Sequence, residues 1–346
     1  MMGNQDNRIL RTRPFLAFVL GLACLAANAA LAGEIIHFES VTHETPYGIF
    51  RGNTGNKVEI EARLSLPPGS QSRQMPAAVV LHTCSGPGVP DAEISGKLQQ
   101  LGFITLQFDS LRPRGWSEDL SCSGKLLGNE ASQVADAFAA LRFLASHPAV
   151  DPARIVVVGA SMGAGSANQT ALERLARANA GPTNPRFAAH VAFYPPVRFT
   201  MSAEALTGAP MLMLLGSRDD WTPPHRVKVM VTFWKQARPD LPVSIIEYRT
   251  GHGWFAHGQH NYAGTRSTAG ACPIPVVRSP GDFVLLQLDG TLRELASAAG
   301  AERGKELAEE MRKCAKRGAS ITPDPSVASR SLDDMASFLK VTLKLP

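Results

Sequence analysis

The sequence is short of several things, and each shortage excludes a class of protein. Five Cys in 346 residues are too few for a disulfide-dense miniature scaffold. Thirty Gly and 25 Pro are too few for a collagen or a low-complexity linker. No block of Lys and Arg occurs, and 35 basic against 30 acidic residues leave a net charge of only +5, so no nucleic-acid footprint is indicated. Nothing has metal-ligand spacing: His257 and His260 stand three apart with no Cys or acidic pattern beside them. Internal repeats are absent, and beyond residues 1–32 no run is long and apolar enough to cross a membrane. What the chain has in quantity is apolar residues, 44% against 19% charged, enough to bury a substantial core and to exclude wholesale disorder.

The N-terminus reads as an export signal. Arg8, Arg11 and Arg13 precede an apolar run over Pro14–Ala27, and Ala30-Leu31-Ala32 fits a small-residue cleavage site before Gly33. The run is short for an uncleaved anchor. Gly21 stands where a lipoprotein signal at Cys24 would want a bulky aliphatic residue. Cleavage predicts a periplasmic or extracellular protein with no membrane attachment. It also removes the odd Cys, leaving Cys84, Cys122, Cys272 and Cys314. In an oxidising compartment four Cys allow three pairings. Cys84–Cys122 and Cys272–Cys314, nearest in the chain, are favoured over the other pairings and over four free buried thiols.

The body alternates strand and helix. Glu34–Phe38 and Val58–Leu66 read as opening strands, the second with period-two alternation. Continuous apolar runs at Ala77–His82, Phe103–Phe108 and Ile155–Val158 suit strands covered on both faces. Ala188–Phe193, Met211–Leu215 and Val243–Tyr248 add three more. Helices are predicted over Asp91–Leu101, Glu130–Ser146, Met162–Ala178, His225–Ala237 and Leu332–Leu343, with Asp151-Pro152 as a break. This rhythm predicts an α/β fold, with a mostly parallel central sheet and helices on both faces. Residues 263–326 interrupt it with a possible hairpin around Asp289-Gly290 and a charged helix near Leu292–Lys316. We read them as an insertion in a single domain spanning 33–346.

The chemistry gathers at strand ends. Gly159-Ala160-Ser161-Met162-Gly163 follows an apolar strand and opens a helix, the arrangement of a nucleophile elbow: glycines for a turn too tight for side chains, a Ser in strained backbone, and a helix N-terminus for an oxyanion. The acid and base of such a site follow in the order Ser, Asp or Glu, His. After Met211–Leu215 come Asp219 and Asp220, with Asp219 favoured, and after Val243–Tyr248 comes His252. The loop after Ala77–His82 is expected to supply a second oxyanion donor, so the backbone N–H groups of Cys84 and Met162 are the candidates. Arg112 and Arg114 could hold a substrate carboxylate, although structural pairing is the commoner fate of such an Arg. Trp116, Trp221 and Trp254 could line an apolar pocket.

In order along the chain, LHTCSGPG, FDSLRPRGW, VVVGASMG, AFYPP, GSRDDWTPP and EYRTGHGWF resemble the dienelactone hydrolase family of α/β-hydrolases, over roughly Ala77–Phe255 and again in the C-terminal helix. The resemblance implies an α/β-hydrolase fold and hydrolysis of a small-molecule ester or lactone without metal or organic cofactor. It implies Ser161 as nucleophile, Asp219 as acid, His252 as base, and Cys84 and Met162 as oxyanion donors. The founding enzymes carry a Cys nucleophile governed by a nearby Glu; here Ser161 and Thr83 stand in those places, which points to an ordinary serine hydrolase. The same triad would serve an acyltransferase or a peptidase, and a non-catalytic binding protein on this scaffold is the reading from outside enzymology.

Overall fold

The computed structural model describes residues 33–346 apart from 53, 71–72, 127, 182 and 263–265. The export-signal reading lies outside the described residues, among which no helix is long and apolar enough to cross a membrane.

Eight strands form the central sheet: β1 (Glu34–Thr42), β2 (Asn56–Ser65), β3 (Met75–Leu81), β4 (Ile104–Phe108), β5 (Val150–Ala160), β6 (Ala189–Phe193), β7 (Met211–Gly216) and β8 (Val243–Tyr248). Their order is β1-β2-β4-β3-β5-β6-β7-β8. β2 pairs antiparallel with both β1 and β4, and every other pairing is parallel. This is an α/β-hydrolase fold. β2 alternates buried Ile60, Ala62 and Leu64 with exposed Glu59, Glu61 and Arg63, as a strand with one wet face must. β3 is buried along its whole length, because helices cover both faces there.

The alternation of side chains divides the core. Ile155 and Val157 of β5 join one apolar cluster and Val156 and Val158 the other. The first cluster is closed by α3 (Asn129–Ser146), α5 (Glu173–Asn179) and α6 (Pro224–Ala237). The second is closed by α1 (Val89–Gln100) and the C-terminal α8 (Pro325–Leu343). The remaining helices are short α2 (Glu118–Cys122), α4 (Met162–Gln169) and α7 (Ala301–Cys314).

Four local expectations are corrected. Asp151-Pro152 is not a break but part of β5; the register jumps from Met75↔Val150 to Ala77↔Ile155, and the extra residues bulge out where Pro owes no ladder hydrogen bond. The helix expected over Met162–Ala178 is two helices. Leu172 is extended and bridges Leu206, and the Thr170 hydroxyl bonds back to the Ala167 carbonyl. The charged helix is α7 alone, since Leu292–Glu294 pairs as a strand. The C-terminal helix starts at Pro325, where Asp324 accepts from the Val327 N–H and Pro takes the first helical position.

Within 263–326 the chain adds β11 (Ile274–Ser279), β12 (Asp282–Leu286) and β13 (Leu292–Glu294), an antiparallel meander, after the short β9 (His260–Asn261) and β10 (Ser267–Thr268). Gly290, at φ +89°, turns the hairpin expected at Asp289-Gly290. β14 (Lys316–Arg317) pairs with β10 and β15 (Ser320–Ile321) with β9, returning the chain to the main body. Disulfides join Cys84 to Cys122 and Cys272 to Cys314.

Candidate active site

The strand order reverses about β3, and open α/β sheets place their sites at the C-terminal strand ends beside such a reversal. The turn after β5 shows why the sequence needs its glycines. A Cβ on Gly159 would lie 2.3 Å from Gly163, and one on Gly163 would lie 2.3 Å from the Leu81 carbonyl oxygen. Ser161 sits between them at φ 52°, ψ −119°, strained for a residue with a side chain. Its own N–H is tied to the Phe193 carbonyl at 2.9 Å, which fixes the turn.

The structure brings three of the expected residues together. Ser161 Oγ lies 3.0 Å from His252 Nε2, and His252 Nδ1 lies 2.8 Å from Asp219 Oδ2. An ionised carboxylate can only accept, so Nδ1 carries the proton and Nε2 turns its lone pair to the Ser161 hydroxyl. Burial by itself would raise the Asp219 carboxyl, but His252 and the bonds from Thr222 outweigh it and hold Asp219 below the ordinary carboxylate range. Asp219 Oδ1 accepts the N–H groups of Trp221 (2.9 Å) and Thr222 (2.7 Å) in an Asx-type turn that aims the carboxylate inward. Asp220 turns away, accepting the N–H and hydroxyl of Ser320 at 2.9 and 2.7 Å.

Met162 occupies the first helical position of α4, where an N–H has no acceptor inside the helix. Cys84 and Met162 line one cavity with Ser161, and the Cys84–Cys122 bridge packs on Met162 and Trp221. The bridge therefore stiffens the loop opposite the elbow.

The four residues expected to contact substrate part company. Trp221 lines the cavity and its ring lies 5.0 Å from that of His252. Trp254 does not line it: it is 1% exposed, donates to Ser331 Oγ at 3.1 Å and packs against Tyr194. Trp116 lies beneath the Arg114 guanidinium instead. Arg114 is the clearest correction. Its five N–H groups are all spent, on Thr42 Oγ1, the Ser110 and Val41 carbonyls, and a fork onto Asp136. Side-chain exposure of the pair is 2% and 0%, so no donor remains for a substrate. Arg114→Ala strands the Asp136 charge in the core and is expected to cost about 3–5 kcal/mol of stability. Urea unfolding followed by circular dichroism reads this; a loss under about 1 kcal/mol would refute the buried-clamp reading.

Two neighbours went unnoticed in the sequence. The Thr222 hydroxyl lies 2.9 Å from Asp219 Oδ2 and 3.0 Å from the Tyr194 carbonyl, linking the β7 and β6 loops. Its place three after an Asp was the available signal. Tyr194, at φ 43°, sets its ring edge-on 4.8 Å from that of His252 and restricts how the imidazole tilts.

The dienelactone hydrolase family model matches residues 60–270. No curated protein matches the chain. Among solved structures, a putative dienelactone hydrolase from Klebsiella pneumoniae is 19% identical, with 64% of this chain and 88% of that one covered and a TM-score of 0.45. Esterase 2 of Thermogutta terrifontis is 18% identical, with 66% and 86% covered and a TM-score of 0.46. The stretch matched by the family model holds Cys84, Ser161, Asp219 and His252, and with more than half of its length so matched the chain belongs to the dienelactone hydrolase family.

Proposed function

We propose that the protein is an exported serine hydrolase that cleaves a small-molecule carboxylic ester or lactone through an acyl-enzyme. The observation that carries this reading is the hydrogen-bonded chain Ser161–His252–Asp219 on a strained turn at a helix N-terminus. His252 Nε2 takes the Ser161 proton as Oγ attacks the carbonyl carbon. The N–H groups of Met162 and Cys84 hold the oxyanion, and Asp219 stabilises the imidazolium that forms. The imidazolium then gives its proton to the leaving alkoxide, which in a lactone stays tethered to the acyl group. A water, deprotonated by His252, attacks the ester on Ser161, and the acid leaves as Oγ recovers its proton. The two disulfides and the N-terminal pattern of basic, apolar and small residues support export to an oxidising compartment.

Covalent labelling tests the reading. A fluorophosphonate probe is expected to label the wild type stoichiometrically and Ser161→Ala not at all, with the modified peptide containing Ser161. A wild type that stays unlabelled would sink it.

A further inference from the structure

The cavity above Ser161 has a second wall that the family match does not reach. It encloses about 400 Å³, and α7, which lies beyond residue 270, closes it with Gly304, Leu307, Ala308 and Met311. These positions are three and four apart, so they share one helix face. Leu307 is buried, Gly304 and Met311 are half-buried and Ala308 is exposed at the cavity; Glu302, Lys305, Glu309 and Arg312 are exposed on the rest of the helix.

Gly304 stands inside α7 and lines the cavity. Glycine is among the poorest residues inside a helix, and close packing usually excuses it. Here a Cβ would meet nothing within 4 Å, so no protein atom demands the glycine. The residue leaves space open on the cavity side of the helix. Nor is α7 a loose flap. Cys314 is bonded to Cys272, Arg303 pairs with Asp282, and Glu306 accepts the N–H groups of Ala296 and Ser297 at 2.9 and 2.8 Å. The space is therefore preformed.

The lining along α7 is mostly apolar. Of the two cations nearby, Arg226 is buried and donates to the carbonyls of Val197, Ala269, Cys272 and Pro273, and the part-exposed Arg198 pairs through Nε with the buried Glu130. Phe199, Pro275 and Trp221 add apolar surface to the cavity that α7 and Ser161 share. We propose that a hydrocarbon arm of the ester lies against this face of α7, and that Gly304 and Ala308 determine the length of arm admitted. The proposal rests on Ser161 being the nucleophile.

The test compares kcat/KM across p-nitrophenyl acetate, butanoate and octanoate, and across methyl, butyl and octyl acetates followed by pH-stat. Gly304→Leu fills the open space and improves helix propensity, so the fold should persist; Ala308→Leu fills it one turn later and is independent. Each is expected to lower the octyl-to-short ratio about tenfold or more in one series. A change in the first series assigns the acyl arm to α7, and a change in the second assigns the alcohol arm. Lys305→Leu, on the solvent face, should leave both ratios at the wild-type value. Ratios unmoved by both cavity variants, or a parallel loss at every length, would overturn the proposal while leaving the hydrolase reading intact. A wild type that turns over no ester would overturn both.

Discussion

Ser161→Ala is expected to lower kcat/KM for a short p-nitrophenyl ester by about 10⁴-fold or more while the protein stays folded. The substitution removes the only atom that can form the acyl bond. It leaves His252 and the backbone N–H groups in place, so the activity that survives is that of binding and an oxyanion site alone. The cost to the fold is small. One hydrogen bond to His252 goes, worth about 1 kcal/mol, which for a chain this long moves the Tm by only a few degrees. Alanine inherits the strain at φ 52°, because any Cβ suffers it. Ser161→Gly should therefore be equally inactive but more stable than Ser161→Ala, by about 1 kcal/mol. Thermal melts beside an ester assay separate the two effects. Turnover by Ser161→Ala within tenfold of wild type would remove Ser161 from the mechanism.

The sequence disclosed the parts of the site that depend on chain order and not those that depend on side-chain direction. The meeting of Ser161 with His252, and of both with the loop that carries Cys84, was legible because strands with continuous apolar runs, such as Ile155–Val158, announce a buried parallel sheet, and such a sheet gathers its C-terminal loops at one edge. Arg114 could be given the commoner, structural fate but no partner, because Asp136 lies on a helix 22 residues away and is buried without any local sign. Trp254 follows His252 by two residues, yet it faces the core behind the site, since the turn through Gly253, at φ 69°, rotates the chain. The break at Thr170 was hidden because Ala164, Ala167, Ala171 and Leu175 continue a helical period across it. The wall built by α7 was unreadable for another reason. Nothing in a charged helix says which way its few apolar residues point until Cys272–Cys314 fixes it over the cavity.

Asp219 and Asp220 are adjacent, alike in chemistry and on the same loop, and their substitution should nonetheless give opposite results. Asp219→Asn is expected to reduce kcat by about 10⁴-fold. Asn would fit the same space, but its amide can present N–H to His252 Nδ1, which forces the ring proton onto Nε2. That nitrogen then has no lone pair for the Ser161 hydroxyl, and no anion remains to stabilise the imidazolium. The carboxylate also bears on stability. Its folded pKa lies below the unfolded value near 4, so its contribution is complete above that value and is lost as pH falls through the folded pKa. Asp219→Asn should accordingly narrow the stability gap between mutant and wild type in acid and widen it at neutral pH. Asp220→Asn should keep kcat within about threefold of wild type, because its carboxylate is exposed and turned to Ser320, far along the chain. Steady-state kinetics on the two variants decide the matter. Comparable losses would mean that the loop as a whole, and not one carboxylate, orients His252; a large loss confined to Asp220→Asn would transfer the role to that residue.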